Sequence, residues 1–126
     1  MTSKMRLTIW HNPRCSKSRQ ALALLEEAGV DVNIRLYLTD PLSADEISGV
    51  LSQLGCAPRE MMRTGEPVYK ELGLAQADDA ALLAAMVNHP ILIERPIILS
   101  GTRAVIGRPP ERVHEMVHEI MGQSSR

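Results

Sequence analysis

The stretch RLTIWHNPRCSKSRQALALLEEAGVDVNIRLYL, residues 6–38, changes its hydrophobic period twice. Over 6–10, Leu7 and Ile9 alternate with Arg6 and Thr8, the period of two that a strand requires. Asn12-Pro13 breaks that run. Beyond it Ala21, Leu24, Leu25 and Ala28 recur at i, i+3, i+4 and i+7, so the spacing predicts a helix over about 16–28. Gly29 stands where a left-handed cap would close it. Val32, Ile34, Leu36 and Leu38 then alternate with Asn33, Arg35 and Tyr37, which predicts a second strand. Strand, helix and strand in so short a span predict a parallel crossover.

Beyond this unit, SADEISGVLSQLG pairs Ser43 with Glu46 as a capping box, places Ile47, Val50, Leu51 and Leu54 on one face, and stops at Gly55. From Pro58 to Leu74 the pattern is interrupted by Gly65 and Pro67, and short helices separated by a loop are expected, with Met61 and Met62 as core filler. Asp78 or Asp79 is placed to cap a helix that turns Leu82, Leu83, Met86 and Val87 inward and stops before Pro90. Residues 43–89 therefore read as a helical region. Ile97 to Leu99 and Ala104 to Ile106, joined across a Ser-Gly turn, read as a hairpin. Val113, Met116, Val117, Ile120 and Met121 share one stripe of a final helix entered through prolines, with fraying expected from Gly122. The whole is an α/β thioredoxin-like order, β-α-β, helical insertion over about 43–89, β-β-α, on a mixed four-stranded sheet. A single domain is expected over 1–126.

Composition narrows the function classes. The chain carries 14 Lys and Arg against 15 Asp and Glu, a net charge of −1, which supplies no footprint for a polyanion. One Trp and two Tyr are too few for a base-stacking platform, so no nucleic acid partner is expected. No apolar run reaches the about 18 residues of a membrane span, and no leader pattern opens the chain, so a cytoplasmic protein without membrane association is expected. Cys15 and Cys56 show neither CxxC nor zinc spacing, and no structural metal or disulfide framework is expected.

Cys15 lies at the strand-to-helix turn, where unpaired N–H groups and the positive end of the helix dipole stabilise an anion such as a thiolate. Arg14, Lys17, Arg19 and a protonated His11 would add positive charge; in comparable surroundings a thiol drops from about 8.5 to roughly 3.5–7.5. A phosphatase loop would need Arg five residues after the one following Cys15, where the sequence has Ala21; a dithiol enzyme would need Cys where it has Ser18. The thiol must use an external thiol or the remote Cys56. Of the 14 basic residues 11 are Arg, the side chain that grips oxyanions with two parallel hydrogen bonds.

Four ordered blocks, HNPRCSKSR (11–19), MRTGEPVYKELGL (62–74), HPILIERPII (89–98) and IGRPPE (106–111), resemble the glutaredoxin-coupled arsenate reductase family, most closely its short members with an NPRCSKSR loop. The likeness covers about residues 6–121. It implies a thioredoxin-like fold with a helical insertion after the second strand. By motif matching it implies Cys15 as nucleophile, His11 as the group favouring its thiolate, and Arg63, Arg95 and Arg108 as oxyanion-binding arginines. It further implies attack of the Cys15 thiolate on arsenate, a thioarsenate adduct, glutathione as co-substrate, glutaredoxin as partner, and no metal, flavin or other bound cofactor. A proline in the cis form is expected at Arg95-Pro96, before the third strand. Cys56 receives no catalytic part, and His89, His114 and His118 no metal.

Two features keep neighbouring readings open. The best-known reductases carry Gly and Thr where this chain has Ser16 and Lys17, and they continue beyond the helix that follows RPPE. A single-cysteine enzyme acting on another oxyanion or on glutathionylated thiols is one alternative. A non-catalytic RNA polymerase-binding regulator of the same fold is the other, although such regulators typically carry CxxC in the first loop. A monomer is expected.

Overall fold

A computed structural model describes residues 6–94, 96–100 and 103–117. The chain divides into two compact units: one from the residues up to Leu36 together with those from Arg95 onward, the other Tyr37–Glu94.

The first unit is built on the predicted crossover. Strand β1 (Arg6–Trp10) leads through a loop to helix α1 (Ser16–Glu27) and then to β2 (Asp31–Arg35). Gly29, at φ +77°, takes the left-handed conformation that lets the chain leave the helix without a Cβ penalty. Strands β3 (Ile97–Leu99) and β4 (Ala104–Ile106) follow, and the four form one mixed sheet in the order β2-β1-β3-β4. β1 pairs parallel with β2 and antiparallel with β3, and β3 pairs antiparallel with β4.

The register explains the core. Ile34, Ile9, Ile98 and Val105 lie opposite one another across the sheet. Ile9, Ile98 and Val105 join Leu7, Ala21 and Leu25 of β1 and α1 and Val113 and Met116 in one buried cluster. Each fully buried Ile or Leu contributes about 1.5–3 kcal/mol, so this layer of α1 and residues 113–117 holds the sheet. Ile34 is 45% exposed because β2 is an edge strand. The predicted second strand is correspondingly shorter than its alternation suggests: it ends at Arg35, and residues 37–39 form a turn. After β4, a 3-10 turn at Pro110–Arg112 runs into helical residues 113–117. Ile120, Met121, His118 and the expected fraying from Gly122 lie outside the described residues.

The second unit is helical, as its sequence predicts. Helix α2 (Ala44–Leu54) opens with the Ser43/Glu46 capping box, the Ser43 hydroxyl accepting from Glu46 N–H at 3.1 Å and Glu46 accepting from Ser43 N–H at 2.9 Å. It closes at Gly55 with φ +67°. A 3-10 turn at Pro58–Met61, helix α3 (Pro67–Glu71) and a further 3-10 turn at Leu74–Gln76 follow. Helix α4 (Asp79–Asn88) is capped by Asp78, whose carboxylate accepts from Ala81 N–H at 2.9 Å. α2 and α4 pack on one another. Met61 and Met62 are buried, as expected of core filler.

Arg59 ties this unit together internally. Its guanidinium donates to the Tyr69 hydroxyl, to the Leu74 carbonyl at 2.9 Å and to the Ala77 carbonyl at 3.0 Å. The Leu74 carbonyl also accepts from Ala77 N–H at 3.1 Å, so Arg59 takes its second acceptor place.

Candidate active site

The loop from β1 to α1 carries the candidate nucleophile. Cys15 is the N-cap of α1, with extended φ and ψ of −95° and 121°. Asn12 C=O accepts from Cys15 N–H at 3.0 Å, and Cys15 C=O accepts from Arg19 N–H at 3.0 Å. The first turn of α1 holds no acidic residue, so the helix itself places no carboxylate against the positive end of its dipole, where the half-buried Cys15 stands. Arg14, Lys17 and Arg19 are exposed around it, and Arg19 Nη1 donates back to the Pro13 carbonyl at 2.8 Å, closing the loop.

Beneath that loop lies a cluster of buried polar side chains, His11, Asn12 and Ser18. His11 Nδ1 and Ser18 Oγ share a hydrogen bond of 2.7 Å, and Asn12 N–H donates to the same Oγ at 3.1 Å. Asn12 Oδ1 accepts from Arg14 N–H at 3.0 Å, a side-chain turn that shapes the Asn-Pro-Arg corner. The backbone N–H of His11 donates to the Arg35 carbonyl at 2.9 Å, continuing the parallel ladder by one bond. Burial, with the Arg19 charge second and Glu26 opposing, lowers the His11 pKa below its ordinary value near 6.5. The ring is therefore neutral at pH 7, and the positive charge expected from a protonated His11 is not supplied, because a buried imidazolium would lose its hydration without a carboxylate bonded to it.

Ser18 was not singled out by sequence reasoning except as the absent second cysteine. Its signal was positional: residues 18, 21 and 25 lie on one helical stripe, and Ser18, Ala21 and Leu25 are the buried residues of α1.

The proposed arginines are placed differently from one another. Arg108 follows β4 in the same unit as Cys15 and His11, and it is half-buried. Gly107 before it is required by close approach: a Cβ there would lie 2.8 Å from Ile98 Cδ1 and 2.9 Å from Pro96 Cγ, and Gly107 N–H donates to the Pro96 carbonyl at 2.8 Å. The peptide bond Arg108-Pro109 is cis. Arg95, and with it the expected cis bond to Pro96, lies outside the described residues.

Arg63 belongs to the other unit. Its Nε donates to Glu66 at 3.2 Å and its Nη1 to Glu94 at 3.1 Å. Burial alone would lower its pKa, but the two glutamates outweigh burial and hold it above the ordinary value. The segments around Arg63 and Glu94 are stitched by an antiparallel bridge between Met62 and Ile93, with Arg63 N–H donating to Leu92 C=O at 2.7 Å and Glu94 N–H to Met61 C=O at 2.7 Å.

Cys56, just after the Gly55 cap, is half-buried; burial pushes its thiol up and the Glu60 carboxylate adds to the effect. A raised pKa keeps this thiol protonated, and so weakly nucleophilic, at neutral pH. Neither cysteine is in a disulfide among the described residues. Within the same residues no three His, Cys, Asp or Glu side chains gather as a metal site, and no helix is long and apolar enough to cross a membrane.

The mixed four-stranded sheet with Cys15 at the N-cap position of α1 defines a thioredoxin-like α/β protein. Residues 10–116 match the ArsC family, and the chain belongs to that family. It is 50% identical over 112 residues, 86% of this chain and 94% of the relative, to the uncharacterized protein YfgD of Escherichia coli K12. Over 116 residues, 90% of this chain and all of the relative, it is 47% identical to a protein of Haemophilus influenzae named arsenate reductase. A solved structure described as an arsenate reductase from Vibrio cholerae superposes with a TM-score of 0.86 at 48% identity, covering 90% of this chain and 98% of that one.

Proposed function

We propose that this protein reduces arsenate to arsenite with external thiols, Cys15 being the nucleophile. The observation that carries this reading is a cysteine at the N-cap of a helix whose first turn has no acid, in a chain whose relatives include proteins named arsenate reductase. The Cys15 thiolate attacks As(V) and one arsenate oxygen, protonated, departs as water, leaving a sulfur–arsenic bond. The thiolate of glutathione then attacks the adduct. A disulfide forms between Cys15 and glutathione, the two sulfurs together giving up two electrons, and arsenic leaves as arsenite. Glutaredoxin takes over the glutathione and returns the Cys15 thiol. No bound cofactor has a part in this sequence.

By its motif His11 is the group that favours the Cys15 thiolate, and a neutral ring would do so as a hydrogen-bond donor and not as a cation. Arg63, Arg95 and Arg108 hold the oxyanion, by the resemblance of their motifs. For Arg63 this means sharing its guanidinium with Glu66 and Glu94, which take two of its five N–H donors.

The test is an NADPH-coupled assay with arsenate, glutathione, glutathione reductase and glutaredoxin, each omitted in turn. Consumption of NADPH that requires every component supports the reading. Full consumption without glutathione, or none with all components, would sink it.

A further inference from the structure

Ser18 stands three residues after Cys15, and the structure gives that position a fully buried hydroxyl with two partners, Asn12 N–H and His11 Nδ1. A serine hydroxyl carries one proton and accepts up to two. Asn12 N–H fills an acceptor place and cannot take the proton. Among the described residues His11 Nδ1, at 2.7 Å, is the acceptor bonded to that oxygen. A neutral imidazole carries a single N–H, so an Nδ1 that accepts leaves the proton on Nε2.

Resting on the reading that His11 supports the Cys15 thiolate, we infer that Ser18 is a positioning residue: its hydroxyl donates to His11 Nδ1 and holds the ring in the tautomer whose Nε2 is the donor. His11 then serves the loop as a hydrogen-bond donor, neither a cation nor a proton-accepting base. The backbone supports this arrangement from both sides, since His11 N–H is held by the Arg35 carbonyl of β2 and Asn12 N–H by Ser18 of α1. The charged groups acting on the ring are Arg19 and Glu26, both on α1, and they oppose one another. The tautomer is therefore set by the buried bond to Ser18, because the hydroxyl proton has no better acceptor among the groups it touches.

The tautomer can be read directly by 1H–15N NMR of the imidazole rings in the whole protein, with His11→Gln identifying the His11 signals. At pH 7 to 8 the wild type should show an unprotonated Nδ1 and a protonated Nε2. Ser18→Ala should give a mixture of tautomers, shift the pH profile of Cys15 alkylation upward, and lower kcat/KM for arsenate by roughly tenfold or more. Ser18→Thr, which keeps the hydroxyl, should restore the tautomer and most of the rate. A protonated Nδ1 in the wild type overturns the inference whether or not the variants fold. So does a folded Ser18→Ala protein with unchanged tautomer and alkylation profile. The NMR and alkylation readouts involve no arsenate. The expected tautomer in a protein that fails to turn over arsenate would keep this inference and reject the proposed reaction.

Discussion

Two polar clusters, one in each unit, solve the same problem in opposite ways. His11, Asn12 and Ser18 are all but sealed from solvent, at 6%, 4% and 0% exposure, and they are joined by hydrogen bonds between uncharged groups. Arg63, Glu66 and Glu94 remain about a quarter exposed and are joined by charge. The difference follows from hydration. A buried ion must recover its lost hydration from a partner, so the sealed cluster keeps its imidazole neutral, whereas side chains still touching water can stay ionised at modest cost. The first cluster is therefore held by fixed hydrogen bonds, and the second by charges that water and salt can reach.

The largest expected effect falls on Cys15, the proposed nucleophile beside the neutral cluster. Cys15→Ser should reduce arsenate turnover to background while leaving the thermal midpoint nearly unchanged, because no disulfide or side-chain cap is lost. Substantial residual turnover would separate the cluster from any chemistry.

Next comes the charged cluster. Arg63→Ala leaves two carboxylates facing each other without the cation between them, and chemical denaturation should show a loss of about 1–2 kcal/mol. Repeating the measurement in 1 M NaCl should shrink that loss, since these side chains are reached by salt. A loss that ignores salt would mean that packing, and not charge, holds this cluster.

A smaller effect is expected for Asn12→Ala, which removes the acceptor of Arg14 N–H. The cost should be about 1 kcal/mol and insensitive to salt. A salt-dependent loss here would erase the contrast between the two clusters.

The smallest effect is a slope. The His11 pKa in the folded protein lies below the ordinary value near 6.5 that the unfolded chain retains. Between those two values only the unfolded chain holds the proton, so stability rises with pH there. This contribution is present above the unfolded value and is lost as pH falls through it toward the folded one. His11→Gln should flatten that acid-side slope; identical slopes in wild type and variant would contradict a neutral, buried ring.

Residues 6–35 were readable because their signals are local. Period two, period 3.6 and the Gly29 stop each lie within a few residues, and the observed β1, α1 and β2 follow them. The Ser43/Glu46 box and the Asp78 cap were readable for the same reason. The end of β2 was not, because exposure of Ile34 and Leu36 depends on β2 being an edge strand, which no window of sequence states. Pairs separated along the chain escaped as well: Arg63 with Glu94 is 31 residues apart and Arg59 with Ala77 is 18. Of the site, Cys15 was visible from its position at the helix start, and His11 from its motif. The neutral state of His11 was not, since the loop's sequence shows only basic neighbours and says nothing of how deeply the ring is buried.

In the proposed reaction Cys15 hands its oxidation to a thiol from outside. A single turnover with arsenate and glutathione, stopped by acid and read by peptide mass mapping, tests it most directly. The account predicts a Cys15–glutathione disulfide in the wild type and in Cys56→Ala, with the variant keeping most of its glutathione-dependent turnover. A Cys15–Cys56 disulfide in the wild type, together with loss of turnover in Cys56→Ala, would contradict it.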